Sequence, residues 1–283
     1  MTRRTLATQI DAYGIALHAG TPVRMNLSPA EPGTGIVFRR SDLDGSAIPA
    51  RYDRVGETRL GTVIDDDAGS SVGVVEHLMA AIAGLEIDDL EVTVDGPEPP
   101  LLDGDALSYW RLLKRAGIAE SAASRNVIRV LRPIEAGYGE ASATLVPADA
   151  REFEFEIEFP SAAIGHQQFS WTFSPEGFER DIAPARTFGF AHELEVLNRA
   201  GLGRGASLEN TLAIEGDRVI NAALMRFPDE FVRHKILDAV GDLALAGAPI
   251  IGRFVGRRSG HALNNRLLRA LFSDPANYTL IAG

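Results

Sequence analysis

The 283 residues contain no cysteine, which removes disulfides, thiolate metal sites and a cysteine nucleophile. Any metal must therefore be held by histidines and carboxylates. Positive charge is scarce as well: 28 Lys and Arg stand against 39 Asp and Glu, a formal net charge of −11. Nucleic-acid binding needs a concentrated basic footprint, so this balance argues against a nucleic-acid partner. It leaves room for an anionic small molecule met by a few local Arg and Lys. Long apolar runs are missing, and no stretch approaches a transmembrane span. The N-terminal stretch has a basic tip, but Gln9, Asp11 and His18 interrupt the apolar core that a signal peptide requires. A cytoplasmic protein is expected. Gly and Pro are dispersed, and 45% apolar with 24% charged residues is the composition of a folded globular chain.

The length suits two modest domains, and the small polar stretch 120–126 is the expected boundary. This gives an N-terminal domain over residues 1–124 and a C-terminal domain over 125–283. Residues 1–40 read as short strands with turns at Ala19-Gly20 and Pro32-Gly33. Helices are expected over 75–85, stopped by Gly84, and over 106–116, with a strand at 90–94 between them. In the second half, residues 151–159 alternate strictly, with Phe153, Phe155, Ile157 and Phe159 on one face and four glutamates on the other. Same-face neighbours on a strand lie roughly 7 Å apart, too far to converge on one ion, so this is a solvated sheet face. A strand at 168–173, a helical segment at 192–200, a long helix over 226–247, a strand at 250–255 and a last helix over 261–272 follow. Both halves are thus expected to mix strands and helices.

Helix 226–247 carries an apolar stripe of Val232, Ile236, Ala239, Val240 and Leu243. On its other side His234, Asp238 and Asp242 recur every four residues and stack along one line. A His and an Asp one turn apart can share a metal ion, but taken alone this helix favours an ordinary solvated face, as most surface helices show. Val75-Glu76-His77 with Gly84 seven residues beyond the histidine repeats as Val232-Arg233-His234 with Gly241. This spacing fits a duplication with the site between the two halves, where His77 would face His234. His77, His234 and Asp238 would then supply three ligands and leave a fourth position open, the arrangement of a catalytic zinc site. Glu76, about 100° around the helix from His77, is placed to reach water at such a metal as a general base. By itself the Glu-His pair favours a surface glutamate beside a core-edge histidine. Ser259 reads as an N-cap that puts His261 in the first helical turn, where the dipole lowers an imidazolium pKa. A histidine acting as general acid needs a carboxylate partner, and Asp242 is the candidate; alone, His261 would be a capping or packing residue. Gly201-Leu202-Gly203-Arg204-Gly205-Ala206 matches a dinucleotide fingerprint but follows a helix rather than a strand, so its structural context is wrong.

Six stretches carry a further resemblance: GIALHAG (14–20), VEHL (75–78), LLDG (101–104), ARTFGF (185–190), FVRHKILDAVGD (231–242) and SGHALNN (259–265). Together, in order from Thr5 to Leu271, they resemble the UDP-3-O-acyl-N-acetylglucosamine deacetylase family, zinc amidases of lipid A synthesis. The resemblance implies two α+β domains with the active site at their junction, zinc on His77, His234 and Asp238, and Glu76 as base. It further implies His261 as the acid oriented by Asp242, Lys235 as a substrate or transition-state contact, and Thr187 as an oxyanion donor. Phe188, Arg204 and Gly205 fall on substrate-binding positions. The implied substrate is a nucleotide sugar with an acyl chain, processed by a monomer without a transmembrane segment.

Departures from the family pattern concern substrate. Gly73-Val74 stands where Ser-Thr is usual before VEHL, and Ala16 where glycine is usual. Arg204 replaces a leucine in the acyl-binding insert, where a buried guanidinium would obstruct an apolar channel unless its head reaches water. Ala141 corresponds to a lysine used near the nucleotide. These support an alternative, a paralogous zinc deacylase acting on another acylated amine or amino sugar. A non-catalytic binding protein is opposed by the intact set of ligands, base and acid.

Overall fold

The computed structural model describes residues 1–43 and 47–282. The N-terminal half begins with β1 (Thr2–Leu6), β2 (Ile10–Ile15), β3 (Pro22–Pro29) and β4 (Ile36–Arg40), then the two-residue strands β5 (Ile48–Pro49), β6 (Ile64–Asp65) and β7 (Ser71–Val72). Helix α1 (Glu76–Gly84), β8 (Leu90–Val94), helix α2 (Leu107–Ala116) and β9 (Ile118–Ser124) complete it. Alternation decides which face is inward: in β3, Val23, Met25 and Leu27 are buried while Arg24 points out.

The second half contains β10 (Asn126–Val130), β11 (Ile134–Tyr138), β12 (Ala141–Val146), β13 (Arg151–Glu158) and β14 (His166–Thr172). A helical turn, α3 (Pro175–Gly177), leads to β15 (Phe188–Phe190), helix α4 (Ala191–Arg199), β16 (Leu212–Glu215) and β17 (Arg218–Val219). Helix α5 (Glu230–Ala244), β18 (Ile250–Arg257), helix α6 (His261–Phe272) and β19 (Tyr278–Ala282) end the chain. The glutamate face of β13 is laced by pairs rather than gathered on an ion: Glu152 with Arg253, Glu154 with Gln168, Glu156 with His166.

The two halves repeat one sheet plan. In the first, the order is β2-β3-β8-β4-β5, with β8 antiparallel to β3 and parallel to β4. In the second, β18 is antiparallel to β12 and parallel to β13, giving β11-β12-β18-β13-β14 with the same senses. The helices before and after the central strand correspond too, α1 and α2 in one half, α5 and α6 in the other. The repeated histidine-to-glycine spacing thus marks a repeated topology. The second sheet is extended where β10 pairs the start of β18 and β19 pairs β10.

The polar stretch 120–126 is not a loop. β9 runs to Ser124 and pairs with β1, while β10 starts at Asn126 in the other sheet. The run Ile118-Ala-Glu-Ser-Ala-Ala-Ser lacks the large apolar alternation that announces a strand, so pairing with β1 makes it one. Between them, buried Arg125 reaches back to the first half, with Nε 2.8 Å from Asp88 Oδ1 and Nη1 3.1 Å from Glu86 Oε1. Helix α5 begins later than the pattern suggests, after Pro228, and its Glu230 accepts from the amides of Arg226 and Phe227.

Helices α1 and α5 pack on each other at the centre of the molecule, which buries both faces of each. Gly241 permits this. A Cβ there would lie 2.0 Å from the carbonyl oxygen of Glu76 and 3.0 Å from its Cα. Just before α1, Val74 sits at φ 55°, a left-handed conformation costly for a β-branched residue, at the entry to the residues that follow.

Candidate active site and metal centre

His77, in the first turn of α1, meets His234 and Asp238, one turn apart on α5. The histidine rings lie 4.9 Å apart, edge to face at 83°. Asp238 Oδ1 is 3.6 Å from His77 Nε2 and 3.4 Å from His234 Nε2, and all three side chains are buried. Two hydrogen bonds decide which atoms remain open. His234 Nδ1–H donates to the Ala185 carbonyl at 3.1 Å, which turns the Nε2 lone pair inward. Lys235 Nζ donates to Asp238 Oδ2 at 2.6 Å, and Oδ1 is buried with no hydrogen-bond donor among the described residues. An unpaired carboxylate oxygen facing the Nε2 atoms of two imidazoles is costly unless a cation joins them. The three ligand atoms lie within 4.8 Å of one another, and two imidazoles with one carboxylate fit a divalent metal with an open position. Burial pulls the His234 pKa down to about 4, which keeps the ring neutral. Burial opposes ionisation of Asp238, but the neighbouring histidine and Lys235 hold its carboxyl well below the usual range. The polar line of α5 is therefore not a solvated face, because α1 covers it.

Glu76 and His261 stand beside this cluster. Glu76 is buried; its Oε2 accepts the Thr62 amide at 2.9 Å, and its Oε1 lies 3.7 Å from His261 Nε2. Burial raises the Glu76 pKa. His261 Nδ1 pairs with Asp242 Oδ2 at 2.9 Å. Burial works against its charge, yet Asp242 and Glu76 outweigh it and push the imidazolium up to about 9. The expected Ser259 cap is absent. The capping position is Gly260 with no side-chain bond, and the Ser259 hydroxyl instead donates to Asn264 Oδ1 at 3.0 Å. The reason lies in Asn264, whose amide is committed to Asp242 Oδ2 at 2.8 Å, so its carbonyl oxygen turns toward Ser259.

Thr187 lies two residues beyond the carbonyl that orients His234; its amide donates to Gly104 O at 2.8 Å, which ties LLDG to ARTFGF. Gly104, at φ +74°, has room for no side chain, since a Cβ would lie 1.9 Å from Asn210 O. Phe188 packs edge-on against His234 at 6.2 Å and Phe231 at 5.0 Å, and continues to Phe159 at 5.8 Å. Gly205 abuts the 14–20 loop, its amide donating to Leu17 O and its missing Cβ making room for Ala16 O. Arg204 is exposed, its guanidinium folded back beside Gly201. The start of its stem lies against Gly20, where a Cβ would come 2.5 Å from Arg204 Cβ. Ala141 opens β12 opposite Tyr138 in the β11–β12 hairpin. The glycine-rich decoy is a turn: Gly201 and Gly203 adopt φ +81° and +67°.

Sequence reasoning gave no role to Thr62, Glu98, Asn264 or the buried Arg186–Glu230 pair. Glu98 accepts the amides of His18 and Ala19 and so shapes the GIALHAG loop, while Arg186–Glu230 (3.0 Å) fixes the start of α5 to ARTFGF. Asn264 had a signal, inside SGHALNN. Thr62 had none, because its partners are 14 and 180 residues away. A cavity of about 260 Å³ at the junction, reaching Met79, Asp88, Arg125, Arg151 and Val240, contains none of the metal-cluster, base or acid residues. Chemistry, not volume, locates the site.

The sequence profile of the UDP-3-O-acyl N-acetylglycosamine deacetylase family matches residues 3–273. The chain belongs to this deacetylase family. It is 48% identical over 264 residues to the UDP-3-O-acyl-N-acetylglucosamine deacetylase of Phenylobacterium zucineum, covering 93% of this chain and 90% of that protein. The deacetylase of Myxococcus xanthus is 43% identical over 99% of this chain and 89% of its own length. That of Aliarcobacter butzleri is 41% identical over 99% and 93%. The deacetylase family is one of metalloenzymes, and its α+β organisation agrees with the two sheets and their helices described above. No helix among the described residues is long and apolar enough to cross a membrane.

Proposed function

We propose that this chain hydrolyses the acetamide of UDP-3-O-acyl-N-acetylglucosamine, giving acetate and the free amine, an early step of lipid A biosynthesis. The observation that carries the reading is the convergence of three open ligand atoms with Glu76 and His261 in one buried cluster, in a chain of this family. His77, His234 and Asp238 would hold zinc. When bound, the ion supplies Lewis acidity, polarising an amide carbonyl and acidifying water. Glu76, made more basic by burial, takes the proton of the attacking water. His261, charged at neutral pH through Asp242, gives a proton from Nε2 to the departing nitrogen, which would otherwise leave as a strongly basic amide anion. The Thr187 hydroxyl donates to the developing oxyanion, and Lys235 adds positive charge beside it.

Phe188, with Phe159 and Phe190 around it, offers an apolar wall for the acyl chain next to the metal cluster. Arg204 and Gly205, where the 201–205 turn meets the 14–20 loop, are assigned to the substrate side of the site. We place the domain boundary at Arg125, where the pairing partners change sheet. We further propose that the protein acts in the cytoplasm as a monomer. The test is zinc content by elemental analysis, with acetate release from the acylated UDP-sugar measured beside an acyl-free analogue. Turnover that needs both zinc and the acyl chain supports the reading; acetate release from neither substrate by zinc-loaded protein overturns it. A paralogous deacylase is disfavoured by relatives at 41–48% identity that bear the deacetylase name.

A further inference from the structure

We propose that Thr62 is a positioning residue that sets the base and the acid of the reaction against each other. It lies before β6, 2% exposed, where both carboxylates used for proton transfer come within its reach. Its amide donates to Glu76 Oε2 at 2.9 Å, and its hydroxyl donates to Asp242 Oδ1 at 2.5 Å. Its carbonyl accepts the Val75 amide at 3.3 Å, so it also holds the first turn of α1. One residue thus ties the start of α1 to the middle of α5 through the side chains that do the chemistry.

The hydroxyl has a specific task. Asp242 Oδ2 is shared by His261 Nδ1 and Asn264 Nδ2, at 2.9 and 2.8 Å. Oδ1 takes the Thr62 hydroxyl, so the carboxylate plane is fixed by donors on both oxygens. Without that donor, Asp242 can rotate about its last bond, and His261 turns with it. The amide has a matching task at Glu76: with Oε2 held, Oε1 faces His261 Nε2 at 3.7 Å. Gly61 lets the chain pass this close, since at φ +147° a Cβ would lie 2.9 Å from Glu76 Oε1. A misplacement of about 1 Å between reacting groups can cost roughly 100-fold in rate.

The proposal rests on the function proposed above, and the test separates the two. Zinc-loaded wild type, Thr62→Val, Thr62→Ser and Thr62→Ala are compared for kcat, KM, zinc content and thermal midpoint. Thr62→Val keeps the shape and the amide but removes the hydroxyl. Its kcat should fall by roughly 10- to 100-fold, with KM within about twofold and zinc content unchanged. Thr62→Ser should stay within about threefold of wild type. A readout independent of the substrate is the low-field proton signal of His261 Nδ1–H, assigned by its loss in His261→Gln. It should shift or broaden in Thr62→Val and persist in Thr62→Ser. If Thr62→Val does not fold, Thr62→Ala removes the same hydroxyl without demanding more space. Wild-type kcat and an unmoved proton signal in Thr62→Val would overturn the proposal, as would a Thr62→Ser variant as impaired as Thr62→Val. A wild type that releases no acetate, with the proton signal behaving as described, refutes the assigned substrate and leaves the positioning role standing.

Discussion

Replacing Gly241 with alanine tests the packing on which the site depends. The added methyl would lie 2.0 Å from the Glu76 carbonyl oxygen and 2.8 Å from its carbonyl carbon. Nonbonded carbon and oxygen do not approach so closely, so α1 and α5 must separate by at least roughly 1 Å. Both contacts are backbone in the first turn of α1, and no flexible side chain can move aside. Overpacking of this kind costs about 1–3 kcal/mol, or roughly 2–5 °C in thermal midpoint for a chain of this size. The larger effect falls on function. Glu76 and His77 move with their backbone while His234 and Asp238 stay on α5, so metal affinity and kcat both suffer, the latter by about 100-fold or more. Differential scanning calorimetry, zinc titration and acetate release would be measured beside Gly137→Ala, whose Cβ meets nothing closer than 3.6 Å. A Gly241→Ala protein with wild-type zinc affinity and kcat would refute the argument that this contact sets the geometry.

Removing metal with a chelator should abolish activity and lower the thermal midpoint. Zinc restored at 100 times its dissociation constant should return about 2.7 kcal/mol, read by calorimetry. Arg125→Ala should destabilise by about 1–3 kcal/mol in urea unfolding, because it removes the guanidinium from Asp88, which keeps the Arg4 amide, and from Glu86, which keeps Arg4 and Arg151. Burial already raises the Asp88 pKa. A carboxyl whose folded pKa lies above its unfolded value gains native stability as pH falls through it, so the Arg125→Ala deficit should shrink in mild acid. The alkaline limb of kcat should report loss of the His261 proton at or below about pH 9, since a bound dication opposes the imidazolium. In Asp242→Asn that limb should move to lower pH, because the carboxylate that favours the charged ring is gone. A limb that stays in place would show that another group titrates.

Local pattern made much of the fold legible. β8 and α6 fall where the sequence puts them, and α1, α2 and β13 agree to within a residue or two, because apolar period and turn residues are read over short windows. The strand β9 was not legible, since it is made by its partner β1 rather than by its own side chains. Ser259 misled in a similar way: its preference for a helix cap is real, but Asn264 offered a competing acceptor. The sequence left Arg204 open between obstructing an apolar channel and lying along its surface; in the fold the residue is exposed, with its guanidinium beside Gly201.

The sequence by itself determined the residue types available for catalysis, their helical spacing on α5 and the duplicated histidine-to-glycine interval, all of which are local or periodic. The tertiary structure decided whether the polar line of α5 met water or another helix, and a missing Cβ at Gly241 made that second answer possible. It also decided that Thr62 reaches two carboxylates far away in the chain. Those contacts depend on directions that two folded halves give to side chains, and no window of sequence contains both partners.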